Sequence, residues 1–582
     1  MTWSIASRAW RRADATGRLL PFVFLLFAVL AGEAAERRYV VAAAHPQAAL
    51  AGIEMLVAGG SAVDAAIAVQ AVLGLVEPQS SGLGGGAFML IYDAASKTVR
   101  AYDGRETAPA TAGPDLFLDD DGAEMEWRAA ALSGRSVGAP GVVRLMWLAH
   151  QAHGRLDWRQ LFAPAIRLAR AGFAVSPRLH RMIAEDEWLA GRAATRDAFF
   201  RAAEDGTTEP VPAGALLANP AFADTLERIA AEGPEAFYSG PIAQSIVAAV
   251  AGADPPGRLS LDDLAGYRAK ERDPVCRNYR AYRICGMPPP TSGGITTLQI
   301  MGLLERFDLG SLAPGSVEAV HLISEASRLA FADRDLYLAD PDFVDQPVAG
   351  LLATDYLNAR AQLIDPTRSM GRARAGAPAG QRGALTPGDD RALPATSHFS
   401  IVDADGNAVS MTSSIESAFG AHLMASGFLL NNQLTDFSFA AEDDGAPVAN
   451  RVEGGKRPRS SMSPVIVLDG TGEFVAALGS PGGSRIIGYV AKTLVALLDW
   501  RLAAQDAVAL DHHVNRNGAT ELEAGTAIAA LETELAAMGH SVSIREMNSG
   551  LQGIVSRGGR LAGGADPRRE GVVLEGVAGT SN

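Results

Sequence analysis

Two short runs of alternating apolar and polar residues stand near position 400 and predict a β-hairpin. The first run begins at Thr396 and the second ends near Thr412, with an Asp-Gly-Asn turn at 405–407 between them. Alternation with a period of two is typical of a strand with two different faces, and an Asp-Gly turn is a strong hairpin signal. Thr396 therefore stands at the open end of the predicted hairpin.

The stretch before the hairpin has a different character. Residues 365–395 are rich in Gly, Ala, Arg and Pro and lack an apolar period, which predicts an exposed, mobile linker. An abrupt change from linker to strand suggests a processing site between Ala395 and Thr396. Cleavage there would place a free α-amine, with an ordinary pKa of about 7.7–8.0, beside the Thr396 hydroxyl. Such an amine can serve as the base for a Thr nucleophile. The alternative is that Thr396 is only the first residue of a strand.

Other periodic segments on both sides of the hairpin predict a mixed α/β chain. The predicted helices are residues 46–75, 142–152, 158–171, 221–232, 242–251, 296–305 and 316–338, with another that ends near Leu498. The predicted strands are residues 87–92, 101–103, 427–430, 465–468 and 474–478. Helix caps are predicted where an acidic residue follows a serine by three positions, at Ser61 with Asp64 and at Ser260 with Asp263.

The only two cysteines lie at the two ends of a second predicted hairpin, residues 275–285. A turn on Arg280 and Ala281 would place Cys276 opposite Cys285 at a non-hydrogen-bonded pair, where Cα atoms are about 4.5 Å apart. That spacing is just inside the range of about 4.4–6.8 Å that disulfides adopt. We therefore predict a cross-strand disulfide; two reduced thiols, or a register shifted by one, are the alternatives.

Residues 1–35 are predicted to be a secretory signal peptide. Four arginines precede an apolar run, residues 19–30, that is short for a membrane span, and small residues follow around Ala34. An uncleaved anchor is the alternative. We expect a periplasmic or secreted protein with no stable membrane span once the signal is removed.

Composition and charge narrow the range of partners. Hydrophobic residues make up 48% and charged residues 20% of the chain, as in ordinary globular proteins. The formal net charge of −15 argues against nucleic acid or an anionic membrane as a partner. At 582 residues the chain exceeds an ordinary domain, so several cores or one large layered core are expected.

Two loops carry residues that suit chemistry on a carboxylate or an amide. Arg105 follows a predicted strand and could clamp a carboxylate bidentately, although an arginine in a loop is more often solvated. Gly482 and Gly483 precede a helix and could point two backbone N–H groups at a developing oxyanion. The alternative is a tight strand-to-helix turn. None of the His or Cys spacings suggests a metal site.

Taken in order, these motifs resemble those of the γ-glutamyltransferase (glutathione hydrolase) family over residues 42–569. The resemblance implies an N-terminal-nucleophile hydrolase that needs no cofactor or metal, with a four-layer αββα sandwich of two mainly antiparallel sheets between helical layers. The motifs are residues 82–86, 104–109, 287–290, 396–398, 405–407, 431–433, 436–437, 457–464, 479–483 and 565–568.

The resemblance also implies a precursor that cuts itself into a large subunit, 36–395, and a small catalytic subunit, 396–582. Thr396 matches the nucleophile, Ser414 a supporting hydroxyl, and Gly482 and Gly483 the oxyanion hole. The substrate contacts that the resemblance implies are Arg105, Ser460 and Ser461 for the α-carboxylate, and Glu416, Gln433 and Asp436 for the α-amino group. The expected activity transfers a γ-glutamyl group from glutathione or other γ-glutamyl compounds to water, amino acids or peptides.

Three residues or stretches depart from the family pattern. Ser397 stands where a second Thr is common, and Glu416 stands where many relatives have Asn. Residues 438–455 contain no Tyr, whereas some relatives close the pocket with a Tyr-bearing lid there. Two other functions stay open at this point: a β-lactam side-chain acylase that takes a glutaryl-type group, and an uncleaved, inactive binding protein.

Overall fold

Two antiparallel sheets form the middle of the fold in the computed structural model, which describes residues 38–203, 206–388 and 395–578. The first sheet has seven strands, in the order Val572–Val577, Arg38–Ala43, Ser397–Val402, Ala408–Ser414, Gly86–Asp93, Thr98–Gly104 and Lys270–Arg272. The second sheet has six strands, in the order Arg560–Ala565, Gln552–Arg557, Phe474–Gly479, Val465–Asp469, Tyr282–Gly286 and Val275–Tyr279.

The sheets stack on each other, with helices on both outer faces. Along Arg38–Ala43, Val41 and Ala43 pack into one apolar cluster with the helices Pro46–Val57 and Ala62–Val76. Val40 and Ala42 point the other way, into a second cluster shared with the second sheet. This alternation is what a strand buried on both faces requires. The four-layer αββα sandwich that the resemblance implied is confirmed.

Further elements complete the helical layers and the loops. The α-helices are Pro46–Val57, Ala62–Val76, Trp127–Ala131, Val142–His153, Ala163–Ala171, Pro177–Glu185, Ala193–Phe199, Pro220–Glu232, Glu235–Tyr238, Gly240–Ala251, Leu261–Gly266, Gly293–Leu304, Val317–Tyr337, Val348–Leu351, Thr354–Ala361, Ile486–Leu498, Ala504–Ala509 and Glu532–Ala537. Short strands outside the two sheets are Phe173–Ala174, Leu216–Leu217, Phe200–Ala202, Thr208–Pro210, Met424–Ala425, Phe428–Leu429, Glu442–Asp443, Ala446–Pro447, His513–Asn515, Thr520–Glu523 and Val542–Arg545.

Both predicted hairpins are confirmed. Ser397 pairs with Ser413 and Val402 with Ala408, so the hairpin opens next to Thr396. Cys276 pairs with Cys285 in the expected register, and a disulfide joins them across a Cα–Cα distance of 4.1 Å.

The predicted helix caps are also confirmed, whereas two predicted helices are divided. The helical stretch predicted at 46–75 is two helices, Pro46–Val57 and Ala62–Val76. Ser61 with Asp64 and Ser260 with Asp263 form reciprocal capping boxes. The segment predicted as one helix, residues 158–171, is a 3-10 turn followed by the α-helix Ala163–Ala171. Pro164 explains this change, because proline has no N–H to donate and suits the first turn of a helix.

The linker predicted at 365–395 has no helix and no strand over its described residues, 365–388 and 395. It is anchored to the body of the protein. Met370 donates its N–H to Glu325 at 2.8 Å, Ala373 donates to Asn517 at 2.7 Å, and Gly376 donates to Asp333 at 2.8 Å.

The predicted signal peptide, residues 1–35, lies outside the described residues. Within the described ranges, none of the helices has the length and the apolar character that a membrane span requires.

Candidate active site

Thr396 lies directly before the strand Ser397–Val402, where the hairpin brings it beside Ser414. Its hydroxyl donates to the Ser414 hydroxyl at 3.1 Å, and that same oxygen accepts the backbone N–H of Glu416 at 2.9 Å. Thr396 is buried and has φ +142°, a conformation that β-branched residues rarely adopt. Such backbone strain marks a constrained position and is common at active sites.

A chain of polar contacts continues from Glu416 to Arg105. The side-chain amide of Gln433 donates to Glu416 at 2.7 Å and to Asp436 at 3.0 Å. Asp436 in turn accepts a hydrogen bond from the Arg105 guanidinium. The structure therefore brings the sequence-predicted residues Thr396, Ser414, Glu416, Gln433, Asp436 and Arg105 into one connected group.

Arg105 is completely buried, and backbone carbonyls hold its guanidinium in place. Nε donates to the carbonyl of Pro458 and Nη2 to that of Arg459, each at 3.1 Å. Nη1 has no hydrogen-bond partner among the described residues and lies 3.7 Å from a Glu106 carboxylate oxygen. Nη1 therefore keeps N–H groups that no described residue accepts.

Glu106 is a buried acid that the sequence analysis missed. Burial raises its pKa to about 8, an effect that outweighs the lowering by Arg105. Neither of its carboxylate oxygens has a hydrogen-bond partner in the described chain. Its position next to Arg105 in the motif 104–109 was the available signal, but nothing in the sequence showed that it would be buried.

Ser460 and Ser461 lie directly after the two carbonyls that hold Arg105. The Ser460 hydroxyl accepts the N–H of Met462 at 3.1 Å, and the Ser461 hydroxyl accepts from the Arg334 guanidinium at 2.7 Å. Because both oxygens act as acceptors in these contacts, both hydroxyl protons are left to donate to another group.

Gly482 and Gly483 form the turn before the helix Ile486–Leu498, with φ +134° and +59°. A Cβ on Gly482 would lie 2.7 Å from a ring carbon of Tyr489, so only glycine fits there. This loop reaches the Thr396 region through its neighbour Pro481. A Cβ added to Gly550 would lie 2.8 Å from Pro481 and 2.7 Å from Arg569, so these two side chains are close together. Arg569 in turn donates to the Thr396 carbonyl.

A second polar network, also missed from the sequence, lies behind Thr396. Ser397 donates to Glu77 at 2.7 Å and accepts from Ser81 at 3.2 Å, while Arg178 donates to Glu77 at 2.9 Å. Arg569 donates to the Thr396 carbonyl oxygen at 2.8 Å. These partners are far apart in sequence, so no local pattern could have joined them.

The stretch without Tyr, residues 438–455, contains a small hairpin, Glu442–Asp443 with Ala446–Pro447. The N–H of Ser438 donates to the carbonyl of Asn450 at 2.9 Å, which closes the base of the segment. Thr386, from the described part of the linker, donates its N–H to the carbonyl of Pro447 at 3.2 Å.

One cluster has the composition of a metal site. His321, Glu325 and His540 are buried, and their ligand atoms lie within 4.8 Å of one another. The two imidazoles are hydrogen-bonded at 2.7 Å, and Arg328 and Ser369 each donate to Glu325 at 2.8 Å. The bound arginine and the short contact between the imidazoles suit a metal-free network better than a cation.

Two stacked antiparallel sheets between helical layers are the architecture of the N-terminal-nucleophile hydrolases, and the fold places the chain in that class. The family model described as Gamma-glutamyltranspeptidase matches residues 48–576. The chain belongs to the γ-glutamyltranspeptidase family.

Relatives named glutathione hydrolase proenzyme occur in several bacteria. That of Escherichia coli (strain K12) is 37% identical, over 91% of this chain and 90% of its own length. That of Bacillus subtilis (strain 168) is 35% identical, over 92% of this chain and 91% of its own length. Among solved structures, a cephalosporin acylase from Bacillus halodurans superimposes with a TM-score of 0.80 at 25% identity, covering 93% of this chain and 96% of that chain.

Proposed function

We propose that this protein is a self-cleaving glutathione hydrolase and γ-glutamyltransferase that works through a γ-glutamyl ester of Thr396. The observation that carries the proposal is the hydrogen-bonded chain from Thr396 to Arg105. This chain connects the proposed nucleophile to a cationic group, Arg105, and to an anionic group, Asp436. A substrate that carries an ammonium and a carboxylate on one carbon requires both.

A γ-glutamyl group carries its carboxylate and its ammonium on one carbon, several bonds from the amide that is cut. Arg105, through Nη1, and the hydroxyls of Ser460 and Ser461 would hold the carboxylate. Asp436 and Glu416 would hold the ammonium. In the free protein Arg105 and Asp436 pair with each other. A bound zwitterion can replace that pair charge for charge, so the buried charge stays balanced.

Thr396 Oγ would then attack the amide carbon while its own α-amine accepts the hydroxyl proton. The backbone N–H groups of Gly482 and Gly483 would stabilise the oxyanion. The leaving amine takes the proton and departs, which leaves the γ-glutamyl ester. Water, an amino acid or a peptide attacks the ester and restores the Thr396 hydroxyl. Every step uses groups of the protein and its substrates, with no metal or cofactor.

Cleavage between Ala395 and Thr396 would divide the precursor into a large subunit, residues 36–395, and a small catalytic subunit, residues 396–582. Removal of residues 1–35 as a signal peptide would place the mature enzyme in the periplasm or outside the cell. The proenzyme names of the bacterial relatives support the two-subunit part of this proposal.

The test combines intact-mass measurement of the purified protein with turnover of a γ-glutamyl anilide and of a glutaryl anilide. We expect two chains, the smaller beginning at Thr396, and faster release from the γ-glutamyl compound. Preference for the glutaryl compound would instead support an acylase, the activity named for the Bacillus halodurans structure. A single chain without turnover would support a binding protein.

A further inference from the structure

Arg569 is a buried arginine that touches the backbone of the nucleophile. Its Nη1 donates to the carbonyl oxygen of Thr396 at 2.8 Å, and its Nη2 donates to the carbonyl of Asn548 at 3.0 Å. Its Nε has no hydrogen-bond partner among the described residues. Two neutral carbonyls are therefore its hydrogen-bond acceptors.

The charge of Arg569 lacks a direct counterion in the described chain, although carboxylates lie nearby. Glu77 is engaged by Arg178 and by Ser397, and Asp566 is engaged by Arg568 and by Ser549. Burial lowers the pKa of Arg569 to about 9, with the nearby Arg178 as the next cause. Burying a cation without a paired carboxylate costs folding free energy. Such a charge is a candidate for a functional role near Thr396.

We propose that Arg569 is a positioning residue for Thr396 that also favours the uncharged form of the amine exposed by cleavage. The carbonyl carbon and the amine of Thr396 are attached to the same Cα atom, so the guanidinium lies within about 6 Å of the new N-terminus. A cation at that distance disfavours a second positive charge. The amine then accepts a proton from Oγ at a lower pH than an ordinary α-amine could. This inference rests on the proposed self-cleavage.

Other charged groups around Thr396 do not cancel the effect of the Arg569 charge on the Thr396 amine. Glu77 and Arg178 form an ion pair, so their charges largely cancel at a distance. Burial lowers the pKa of His398 to about 3, so His398 is neutral. Glu416 works against Arg569, but it is present both in the native enzyme and in Arg569→Gln, so the difference between the two proteins reports the charge of Arg569. The charged or titratable groups facing this region from the surrounding elements are Glu77, Arg178, His398, Glu416, Tyr489, Asp566, Arg569 and Glu570.

The test separates the charge of Arg569 from its hydrogen bonds. Arg569→Gln keeps a neutral donor for the Thr396 carbonyl, whereas Arg569→Lys keeps the charge. Arg560→Gln is the matched control, because it removes a charge from an exposed position of the small subunit. For each protein, cleavage is followed by intact mass and kcat/KM for a γ-glutamyl anilide is measured from pH 5 to 10.

We expect Arg569→Gln to cleave and to have its acid limb shifted to higher pH by about one unit. On that limb this shift is about a tenfold loss in kcat/KM at fixed pH. Arg569→Lys and Arg560→Gln should keep the acid limb of the native enzyme. The sign follows from the chemistry, because loss of a nearby cation raises the pKa of an amine that must be unprotonated to act as a base.

An unshifted profile in a cleaved Arg569→Gln would overturn the inference. A folded but uncleaved Arg569→Gln would also overturn it, because a neutral donor should suffice for cleavage. If Arg569→Gln does not fold, the test is made on the native enzyme. The rate at which cyanate labels the Thr396 amine, measured as a function of pH, gives the pKa of that amine. A value at or above about 7.7 would overturn the inference, and a lower value would support it. An uncleaved native protein would overturn the proposed function first.

Discussion

The hydroxyl of Thr396 donates a hydrogen bond to the hydroxyl of Ser414 across the mouth of the hairpin, at 3.1 Å. This contact fixes the direction of Oγ, so Ser414→Ala should slow both self-cleavage and turnover. A hydrogen bond of this kind contributes about 0.5–1.5 kcal/mol, which corresponds to a loss of about two- to tenfold. Ser413→Ala, on the same strand but facing Gly86, is the control. Equal rates in the two variants would contradict a role for Ser414.

Thr396→Ala should leave a full-length precursor without activity, because the variant lacks the hydroxyl that attacks in both reactions. Thr396→Ser keeps that hydroxyl and should still cleave. Intact mass and a denaturing gel distinguish one chain from two. If Thr396→Ala still gave two chains, the nucleophile would have to be another residue.

Asp436→Asn should reduce turnover of a γ-glutamyl anilide far more than turnover of a glutaryl anilide, because a glutaryl group has no ammonium for Asp436 to bind. Hydrogen bonds to charged groups contribute about 1.5–3 kcal/mol, so the loss in kcat/KM for the γ-glutamyl compound should be about ten- to a hundredfold. Asp436 also pairs with Arg105, so folding is checked by thermal unfolding. An equal loss on both anilides would make Asp436 a structural partner of Arg105 and nothing more.

Glu106 should make the protein less stable as the pH rises. Burial raises its pKa from an ordinary 4.5 to about 8, so the folded protein holds the proton more tightly than the unfolded chain. The stabilisation is complete below pH 4.5 and is lost as the pH rises to about 8, by up to about 1.4 kcal/mol per pH unit.

Glu106→Gln should remove this slope. The comparison is best made in a Thr396→Ala background, where the protein unfolds as one chain, with urea unfolding at pH 5, 6, 7 and 8. Parallel stability curves with and without Glu106 would show that this carboxyl does not titrate in the window.

The Cys276–Cys285 disulfide should contribute stability without affecting catalysis. It closes a short loop with a sequence separation of 9, for which loop closure alone predicts about 2–3 kcal/mol. The hairpin lies at the edge of the second sheet. A double Cys→Ser variant should therefore unfold at lower urea with unchanged kcat at 25 °C. Titration of two free thiols in the unreduced, denatured protein would contradict the bond.

Local chemistry explains which parts of the structure could be predicted from the sequence. The hairpin at Thr396, the capping boxes and the cysteine register each depend on residues a few positions apart. The position of Arg105 between Asp436 and the carbonyls of Pro458 and Arg459 follows from three distant segments. Only the resemblance to a family placed these groups together.

The residues that sequence analysis missed share one property: their pKa values or their contacts depend on burial in the folded chain. Glu106 is an ordinary acid in the sequence, and its raised pKa exists only because the fold surrounds it. Glu77 and Arg178 meet across 101 positions of the chain. Arg569 follows a recognisable motif, yet nothing in residues 565–568 indicates that the next side chain contacts Thr396.

The position of the strand Arg38–Ala43 in the first sheet has a consequence for the order of folding and cleavage. This strand lies between Ser397–Val402 and Val572–Val577, and it is hydrogen-bonded to both. A cut before Thr396 would leave this strand of one chain hydrogen-bonded on both sides to strands of the other, which should hold the two chains together. We expect the three strands to pair before cleavage, while they still belong to a single chain. Cleavage before Thr396 would remove the chain connection under which the sheet forms. A denatured mature enzyme should therefore refold far less readily than a denatured precursor.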